Sequence, residues 1–349
     1  MNRITLFQFP EPVNCRNLKG VFALNILLIA LGFFAPGCVA QQRSLLALSK
    51  ADHTLAIVDP VTLKVIARIP VGQDPHEVIA SSDGKTAYVS IYGGGSLHEI
   101  NVIDLVAKKP SFNIDTRPLF GPHGLAFTNG KLWFTAEGSK CVGRYDPATK
   151  KVEWCMGTGQ DRSHMIYVSA DGKKVYTTNV NSGTVSILVN TSSTEQRHRE
   201  WTQTVVPVSK SSEGFDVTPD GRQLWTASAN DGSIAIIDLA TMKVFLTFDA
   251  KVLGANRLAF TPDGKRALVS SLRTGDLYVF DVASHKEIKR IHLGRGGAGI
   301  LVSADGSSAF VGCTADNYVA VIDLKTLEVI AHIDVGGGPD GLAWAVRNE

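Results

Sequence analysis

The chain has 349 residues, of which 44% are hydrophobic and 19% charged, so it can build a sizeable core and is not disordered. The chain has 35 basic and 33 acidic residues, and three of the basic and one of the acidic residues lie in the first 40. The rest of the chain therefore has 32 basic and 32 acidic residues. A neutral chain has no excess positive charge to follow a phosphate backbone, which argues against nucleic-acid binding as the main role.

The first 40 residues have the pattern of an export signal. An apolar run over residues 21–34 follows Arg16 and Lys19, and small residues follow the run up to Ala40. A basic segment, a short apolar segment and a small-residue exit are typical of a secretory signal peptide. The run is too short to span a bilayer. We therefore expect residues 1–40 to be removed, with an uncleaved anchor as the alternative.

Two processing routes are open for this signal. Cleavage after Ala40 would release a chain that starts at Gln41, whereas Cys38 would instead carry a lipid if the segment is a lipoprotein signal. Both routes place residues 41–349 outside the cytoplasm, in the periplasm or the extracellular space. The mature chain is expected to contain no transmembrane helix and to form one domain.

A two-residue turn motif recurs through the rest of the chain. It occurs at Asp83-Gly84, Asn129-Gly130, Asp171-Gly172, Asp220-Gly221, Asp263-Gly264 and Asp305-Gly306, with the glycines 46, 42, 49, 43 and 42 residues apart. Asp-Gly and Asn-Gly favour the type I′ turn of a β-hairpin. Each turn joins two strand-like runs, and two further runs follow. The pattern predicts four antiparallel strands in each repeat, as in propeller blades.

The two ends of the repeat region complete each other. Residues 44–72 supply only the second to fourth strands of a repeat, and residues 340–346 supply a lone first strand. The sequence therefore predicts an all-β fold, a seven-bladed propeller of four-stranded antiparallel blades. The ring is closed by pairing the C-terminal strand with the N-terminal blade, which removes an open sheet edge.

Several repeats resemble a known family. Tyr88-Val89-Ser90, Tyr176-Thr177-Thr178-Asn179, Thr184-Val185-Ser186-Ile187 and Thr218-Pro219-Asp220-Gly221 are similar to the YVTN-type β-propeller repeat of exported YncE-like proteins. The resemblance covers residues 44–346 and implies the seven-bladed fold. It says little about function, because the family includes binding proteins and several unrelated enzymes.

Aligning the first strands on their turns predicts a ring of polar residues at the mouth of the central channel. The seven equivalent positions are His76, His123, His164, Glu213, Asn256, Ala298 and Asp340. Imidazole and carboxylate groups suit Zn²⁺, Cu²⁺ or Fe²⁺. The sequence thus predicts a site for one transition metal ion at His76, His123, His164 and Glu213. Glu213 and Asp340 are the candidates for a catalytic carboxylate.

Two other interpretations of this ring stay open: a pocket for a non-metal ligand, and a structural polar lining. Residues expected to contact a ligand are Asn256, Asp340, Arg162, Arg257, Arg273 and Tyr92, and the same loops carry Asp74 and Glu137. Arginine binds planar anions in a bidentate manner, so the funnel would suit an anionic ligand.

Two of the three cysteines after residue 40 fall on neighbouring strands of one predicted hairpin. Cys141 and Cys155 would form a disulfide if the strand register brings them opposite each other. If Asp146 instead pairs with Lys151, Cys155 faces Val142, one residue away from Cys141.

The sequence favours a binding module for a metal or small ligand, or for a protein partner on the loop face, and most simply a monomer. The alternative is a metal-dependent enzyme, a lyase, lactonase or oxidoreductase, acting on a small anionic substrate. Single-stranded DNA binding is disfavoured because it needs a basic groove. Motifs for nucleotide binding, haem attachment or serine hydrolysis do not occur, so neither a nucleotide nor a haem cofactor is expected.

Overall fold

The computed structural model describes residues 41–191 and 201–348. The predicted signal segment, including Cys38, and most of the polar insertion after Asn190 lie outside these ranges.

The described residues form 28 strands in seven four-stranded antiparallel sheets. The first eleven are β1 (Gln41–Ser49), β2 (Thr54–Val58), β3 (Val65–Pro70), β4 (Pro75–Ala80), β5 (Thr86–Ile91), β6 (Glu99–Asp104), β7 (Lys109–Asp115), β8 (Pro122–Thr128), β9 (Lys131–Ala136), β10 (Cys141–Asp146) and β11 (Lys151–Gly157). Short 3-10 turns at Gly93–Gly95 and Glu137–Ser139 follow β5 and β9.

The remaining strands repeat the same pattern. They are β12 (Ser163–Val168), β13 (Lys174–Asn179), β14 (Thr184–Asn190), β15 (Trp201–Pro207), β16 (Ser212–Val217), β17 (Gln223–Ser228), β18 (Ser233–Asp238), β19 (Lys243–Asp249), β20 (Ala255–Phe260), β21 (Arg266–Ser271), β22 (Asp276–Asp281), β23 (Glu287–His292), β24 (Gly297–Val302), β25 (Ser308–Cys313), β26 (Tyr318–Asp323), β27 (Glu328–Ile333) and β28 (Pro339–Asn348).

Blade 1 closes the ring as the sequence predicts. Its sheet has the order β28-β1-β2-β3, so the C-terminal strand pairs with the N-terminal blade. Blades 2 to 7 are β4–β7, β8–β11, β12–β15, β16–β19, β20–β23 and β24–β27. The first strand of each blade, here called its inner strand, contacts the inner strands of the two neighbouring blades.

The core lies between the blades. Leu55 and Ile57 of blade 1, for example, pack with Val89 and Ile103 of blade 2 in one buried cluster. The second and third strands are buried along nearly their whole length, whereas outer strands such as β19 (Lys243–Asp249) alternate between exposed and half-buried residues. The hydrophobic effect therefore fixes neighbouring blades to each other and leaves only the outer edges in water.

The turn motif has a different geometry from the predicted one in five of six places. Only Asn129-Gly130 has positive φ at both residues, as type I′ requires. In the Asp-Gly turns the glycine alone has positive φ, and the N–H of Gly84, for example, donates to the carbonyl of Ser81. The Ser81 hydroxyl donates a 2.6 Å hydrogen bond to the Asp83 carboxylate, and this bond stabilises the Asp83-Gly84 turn.

Candidate functional site

Each inner strand has a β-bulge at the predicted ring position. Two residues of the inner strand oppose one residue of the second strand at 76–77, 123–124, 164–165, 213–214, 256–257, 298–299 and 340–341. A bulge locally breaks the alternation of side chains along a strand and re-aims them. In blades 2 and 6, both residues of the bulge therefore direct polar side chains to the centre of the propeller.

Hydroxyl groups on the second strands fix the backbone at these bulges. The Thr135 hydroxyl accepts a hydrogen bond from the N–H of Gly124 at 2.9 Å and donates to the carbonyl of His164 at 2.5 Å. Gly124 is needed there because a Cβ would lie 2.6 Å from the His164 carbonyl oxygen. The backbone that carries His164 is thus held directly against blade 3.

The bulges bring the predicted ring together around one cavity of about 270 Å³. All seven ring positions line it, from His76 on blade 2 to Asp340 on blade 1, as do Arg162 and Arg257. Lys50, Leu272 and Thr314 complete the wall. Tyr92 contacts His76 and His123 at this end of the channel. Arg273 is exposed and is not among the residues that line the cavity.

The three histidines from consecutive blades are in contact. The ring centroids of His76 and His123 are 4.7 Å apart, and those of His123 and His164 are 3.9 Å apart. His123 and His164 are each only 1% exposed. His123 Nε2 lies 3.0 Å from His76 Nδ1, whereas His123 Nδ1 has no hydrogen-bond partner among the described residues.

Two carboxylates face His164 from opposite sides. Glu137, buried in the 3-10 turn after β9, hydrogen-bonds His164 Nδ1 and accepts a 2.5 Å hydrogen bond from the Tyr92 hydroxyl. Glu213 Oε1 lies 2.8 Å from His164 Nε2. That nitrogen nevertheless has no partner with hydrogen-bond geometry among the described residues, because the approach is poorly aligned.

Arg162 covers the outer side of these carboxylates. Its Nε lies 3.6 Å from Glu137 Oε2, and its Nη2 lies 3.5 Å from Glu213 Oε1. The Arg162 side chain is 37% exposed, whereas the Glu137 side chain is only 4% exposed, so Arg162 is the more solvent-facing partner.

The carboxylates and the burial set the protonation of the cluster. Burial lowers the pKa of His123 well below its usual value, helped by the neighbouring His164 and His76. Burial acts in the same direction on His164, but Glu137 and Glu213 outweigh it and raise the pKa of that ring. Burial would raise the pKa of Glu213, yet the His164 ring, Arg257 and Arg162 lower it to about 2. The cluster thus combines a neutral imidazole with ionised carboxylates.

The described residues include one group of potential metal ligands, which shares His123 and His164 with the predicted set. Donor atoms of His123, Glu137 and His164 all lie within 4.8 Å of one another. Glu213 is not in this group but contacts it at His164 Nε2. His76 is not in the group either, and its Nδ1 is hydrogen-bonded to His123 Nε2. The sequence placed Glu137 at the channel mouth but could not rank it above the other loop residues, because its approach to His164 depends on a 3-10 turn.

Ion pairs form the rest of the cavity wall. Arg257 pairs with Glu77, and its Nη2 lies 4.0 Å from Asp340. Lys50 Nζ lies 3.4 Å from Asp340 and 2.9 Å from His76 Nε2. Sequence reasoning missed Glu77 and Lys50. Glu77 directly follows a ring position, but only the bulge turns it inward.

Cys141 and Cys155 are free thiols in the structure. Asp146 pairs with Lys151, but a bulge between Arg144 and Tyr145 then shifts the register, so Cys155 faces Gly143 and Cys141 faces Gly157. The two cysteines are therefore diagonal neighbours, at a typical spacing of about 7–8 Å, beyond the usual Cα separation of a disulfide.

The fold and this cavity define a seven-bladed β-propeller with a histidine–carboxylate cluster at one end of its channel. A model of the YNCE-like beta-propeller family matches residues 132–306, half of the chain, and the chain therefore belongs to this family. No curated protein matches the sequence significantly.

Solved structures with this fold share little sequence with the chain. Hydrazine synthase of Kuenenia stuttgartiensis is 18% identical, with a TM-score of 0.66 over 77% of this chain and 89% of that one. A putative 6-phosphogluconolactonase from Bacteroides uniformis is 13% identical, with a TM-score of 0.71 over 86% and 99%. The dihydro-heme d1 dehydrogenase NirN is 16% identical, with a TM-score of 0.61 over 84% and 64%. At these identities the likeness shows the fold alone.

Across residues 41–191 and 201–348, no helix has the length and apolar character needed to cross a membrane.

Proposed function

We propose that this protein is a metal-binding propeller that holds one transition metal ion, Zn²⁺, Cu²⁺ or Fe²⁺, at the mouth of its channel. His123, His164 and Glu137, whose donor atoms lie within 4.8 Å of one another, would bind the ion, with Glu213 beside His164. The observation that carries the proposal is the buried ring nitrogen His123 Nδ1, which has no hydrogen-bond partner among the described residues and belongs to the residue grouped with Glu137 and His164. Buried polar atoms are normally paired, and a metal ion would satisfy this nitrogen.

The charges around the cavity favour a divalent cation. Glu137, Glu213, Glu77, Asp74 and Asp340 supply five carboxylates, against the three cations Arg162, Arg257 and Lys50. The carboxylates therefore exceed these cations by two, and a divalent ion that binds as His164 gives up its proton would offset this excess. A buried site is stabilised by such neutrality because isolated charges there are costly.

Elemental analysis tests this proposal. The full chain should be expressed without an affinity tag, purified without chelator, and compared with a His123→Gln/His164→Gln double variant. A His292→Gln variant is the matched control, because His292 is exposed and lies outside the cavity. We expect close to one transition metal ion per chain in the parent and the control, and none in the folded double variant. Absence of metal from the parent, even after incubation with Zn²⁺, Cu²⁺ and Fe²⁺, would refute the proposal.

The cavity supports a second candidate function, metal-dependent chemistry on a small molecule. A volume of about 270 Å³ leaves room beside an ion, and Glu213 lines it as an ionised carboxylate able to orient a reacting water or substrate. The metal-loaded protein should be screened against small lactones and esters. Turnover that requires the metal and is lost in Glu213→Gln would establish an enzyme, and its absence would leave the binding function.

We also propose that the protein works outside the cytoplasm, on the strength of its first 40 residues. Mass spectrometry of the protein from a membrane and a secreted fraction would test this. A chain starting at Gln41 indicates cleavage, a lipid-bearing Cys38 indicates an anchor, and an intact N-terminus in the cytoplasm contradicts the proposal.

A further inference from the structure

We propose that Asp74 and His76 are positioning residues that hold the proton of His123 on Nε2 and so leave Nδ1 free to bind the metal. This inference rests on the proposed function, since it concerns how one ligand of that site is oriented. It also reassigns His76, which the sequence suggests as a ligand, to a position behind the ligand.

A line of hydrogen bonds runs from the surface to the cluster. Asp74 Oδ1 lies 2.9 Å from His76 Nε2, and His76 Nδ1 lies 3.0 Å from His123 Nε2. Beyond it, His123 Nδ1 is buried and has no hydrogen-bond partner among the described residues. Because each neutral imidazole has one N–H and one lone pair, the proton position at one end fixes it along the whole line.

Two arrangements of protons are compatible with these distances. In the first, His76 donates from Nε2 to Asp74, so that its Nδ1 accepts the proton of His123 Nε2. In the second, His76 Nε2 accepts from Lys50, whose Nζ lies at 2.9 Å. His76 would then donate from Nδ1 to His123 Nε2, and the remaining proton of His123 would sit on Nδ1.

The second arrangement leaves a buried donor without an acceptor. His123 Nδ1–H would point to no acceptor among the described residues, whereas the first arrangement satisfies every N–H in the line. Lys50 does not need the His76 nitrogen, because its ammonium also has Asp340 at 3.4 Å and Asp74 at 3.8 Å. The first arrangement is therefore favoured before any metal binds.

This arrangement has the form of a supported metal ligand. A histidine that binds a metal through one nitrogen usually donates from the other to a fixed acceptor, which sets its tautomer and orientation. Here that acceptor is a second histidine, itself held by a carboxylate. Asp74 has φ of 55°, in the left-handed region that Asp and Asn tolerate best, so its replacement by Asn keeps the backbone.

A matched pair of variants separates the hydrogen bond from packing. His76→Asn keeps an acceptor oxygen for His123. The leucine of His76→Leu has nearly the same shape as that asparagine but offers no acceptor. We expect His76→Leu to weaken Cu²⁺ binding about 10- to 100-fold in chelator competition, with the bound amount at saturation unchanged. His76→Asn and Asp74→Asn should weaken it less. Electron spin-echo measurements on Cu²⁺ should show a changed coupling to a distal imidazole nitrogen in His76→Leu.

The tautomer can also be read without metal. Two-bond ¹H–¹⁵N correlations of histidine-labelled protein, with His123 assigned from His123→Gln, should show the proton on Nε2. A His123 proton on Nδ1 would overturn the inference. So would a proton position that changes in Lys50→Met but not in Asp74→Asn. Equal copper affinity in the parent and His76→Leu would overturn it as well. Failure of the parent to bind any metal would instead refute the proposed function, and the ligand role of His123 with it.

Discussion

Arg257 of blade 6 reaches across the central channel to the carboxylate of Glu77 on blade 2, and both side chains are buried. Their inner strands are not neighbours in the ring: β24 and β28 lie between them on one side, and β8, β12 and β16 on the other. Burial raises the pKa of Glu77 even though Arg257 opposes the shift, so the pair carries a desolvation cost. The ion pair therefore ties opposite sides of the propeller together, and its Arg257 lines the cavity.

Removing one partner of this pair is therefore expected to lower the free energy of unfolding more than removing both partners. Arg257→Met leaves the Glu77 carboxylate buried without its cation and should lower the free energy of unfolding by about 3–5 kcal/mol. The double variant Glu77→Gln/Arg257→Met should recover a large part of that loss. Urea unfolding of the four proteins in the cycle measures the coupling. Additive effects of the two substitutions would show that the pair does not act as a unit.

The sequence could predict the fold because every repeat carries its own local signals. The Asp-Gly turns and the strand runs are repeated at nearly constant spacing, so the register that places His76, His123 and His164 in one ring follows from counting residues. The details of the site could not be counted in this way. Glu77 points inward only because of the bulge in its strand, and Glu137 contacts His164 only because of the turn that carries it. Both contacts depend on the folded backbone and not on the spacing of residues in the sequence.

Arg162 is expected to weaken metal binding by its charge. Its guanidinium contacts both Glu137 and Glu213, so it competes with a cation for the same oxygens. Arg162→Met should raise the metal affinity about 3- to 10-fold at low salt and less at high salt, because the exposed charge is screened. Chelator competition at two salt concentrations measures this.

The control for Arg162 is Arg295→Met. Arg295 is also exposed and paired with a carboxylate, Asp316, but it does not line the cavity. Its replacement should leave metal affinity unchanged. Weaker binding by Arg162→Met would mean that Arg162 orients the carboxylates and that this positioning outweighs its repulsion of the ion.

Gly124 is expected to control the position of His164. An added Cβ would lie 2.6 Å from the His164 carbonyl oxygen and 2.9 Å from the Ile166 nitrogen, both backbone atoms that cannot move aside cheaply. Gly124→Ala should therefore lower the free energy of unfolding by about 1–3 kcal/mol and weaken metal binding as well. Gly157→Ala is the matched control, because a Cβ added there would meet nothing within 4 Å and the φ of Gly157 is ordinary. Loss of stability in both variants alike would rule out the close approach as the cause.

Asp216 is expected to make the propeller less stable as the pH rises. This carboxyl on the inner strand of blade 5 accepts hydrogen bonds from the N–H groups of Val217 and Phe260, yet burial raises its pKa to about 6. Because the folded-state pKa lies above the unfolded value of about 3.8, the folded state holds the proton more tightly. The stabilisation from this group is therefore complete below about pH 4 and is lost as the pH rises through about 6.

Asp216→Asn keeps a neutral side chain at every pH and isolates this effect. The free energy of unfolding of the parent relative to the variant should fall by up to about 3 kcal/mol between pH 4 and pH 7.5, the value for a shift of about two pKa units. Urea titrations at four pH values across this range give the difference directly. A difference that stays constant, or that grows with pH, would show that the two backbone hydrogen bonds to the carboxylate outweigh its burial, and that Asp216 is ionised throughout.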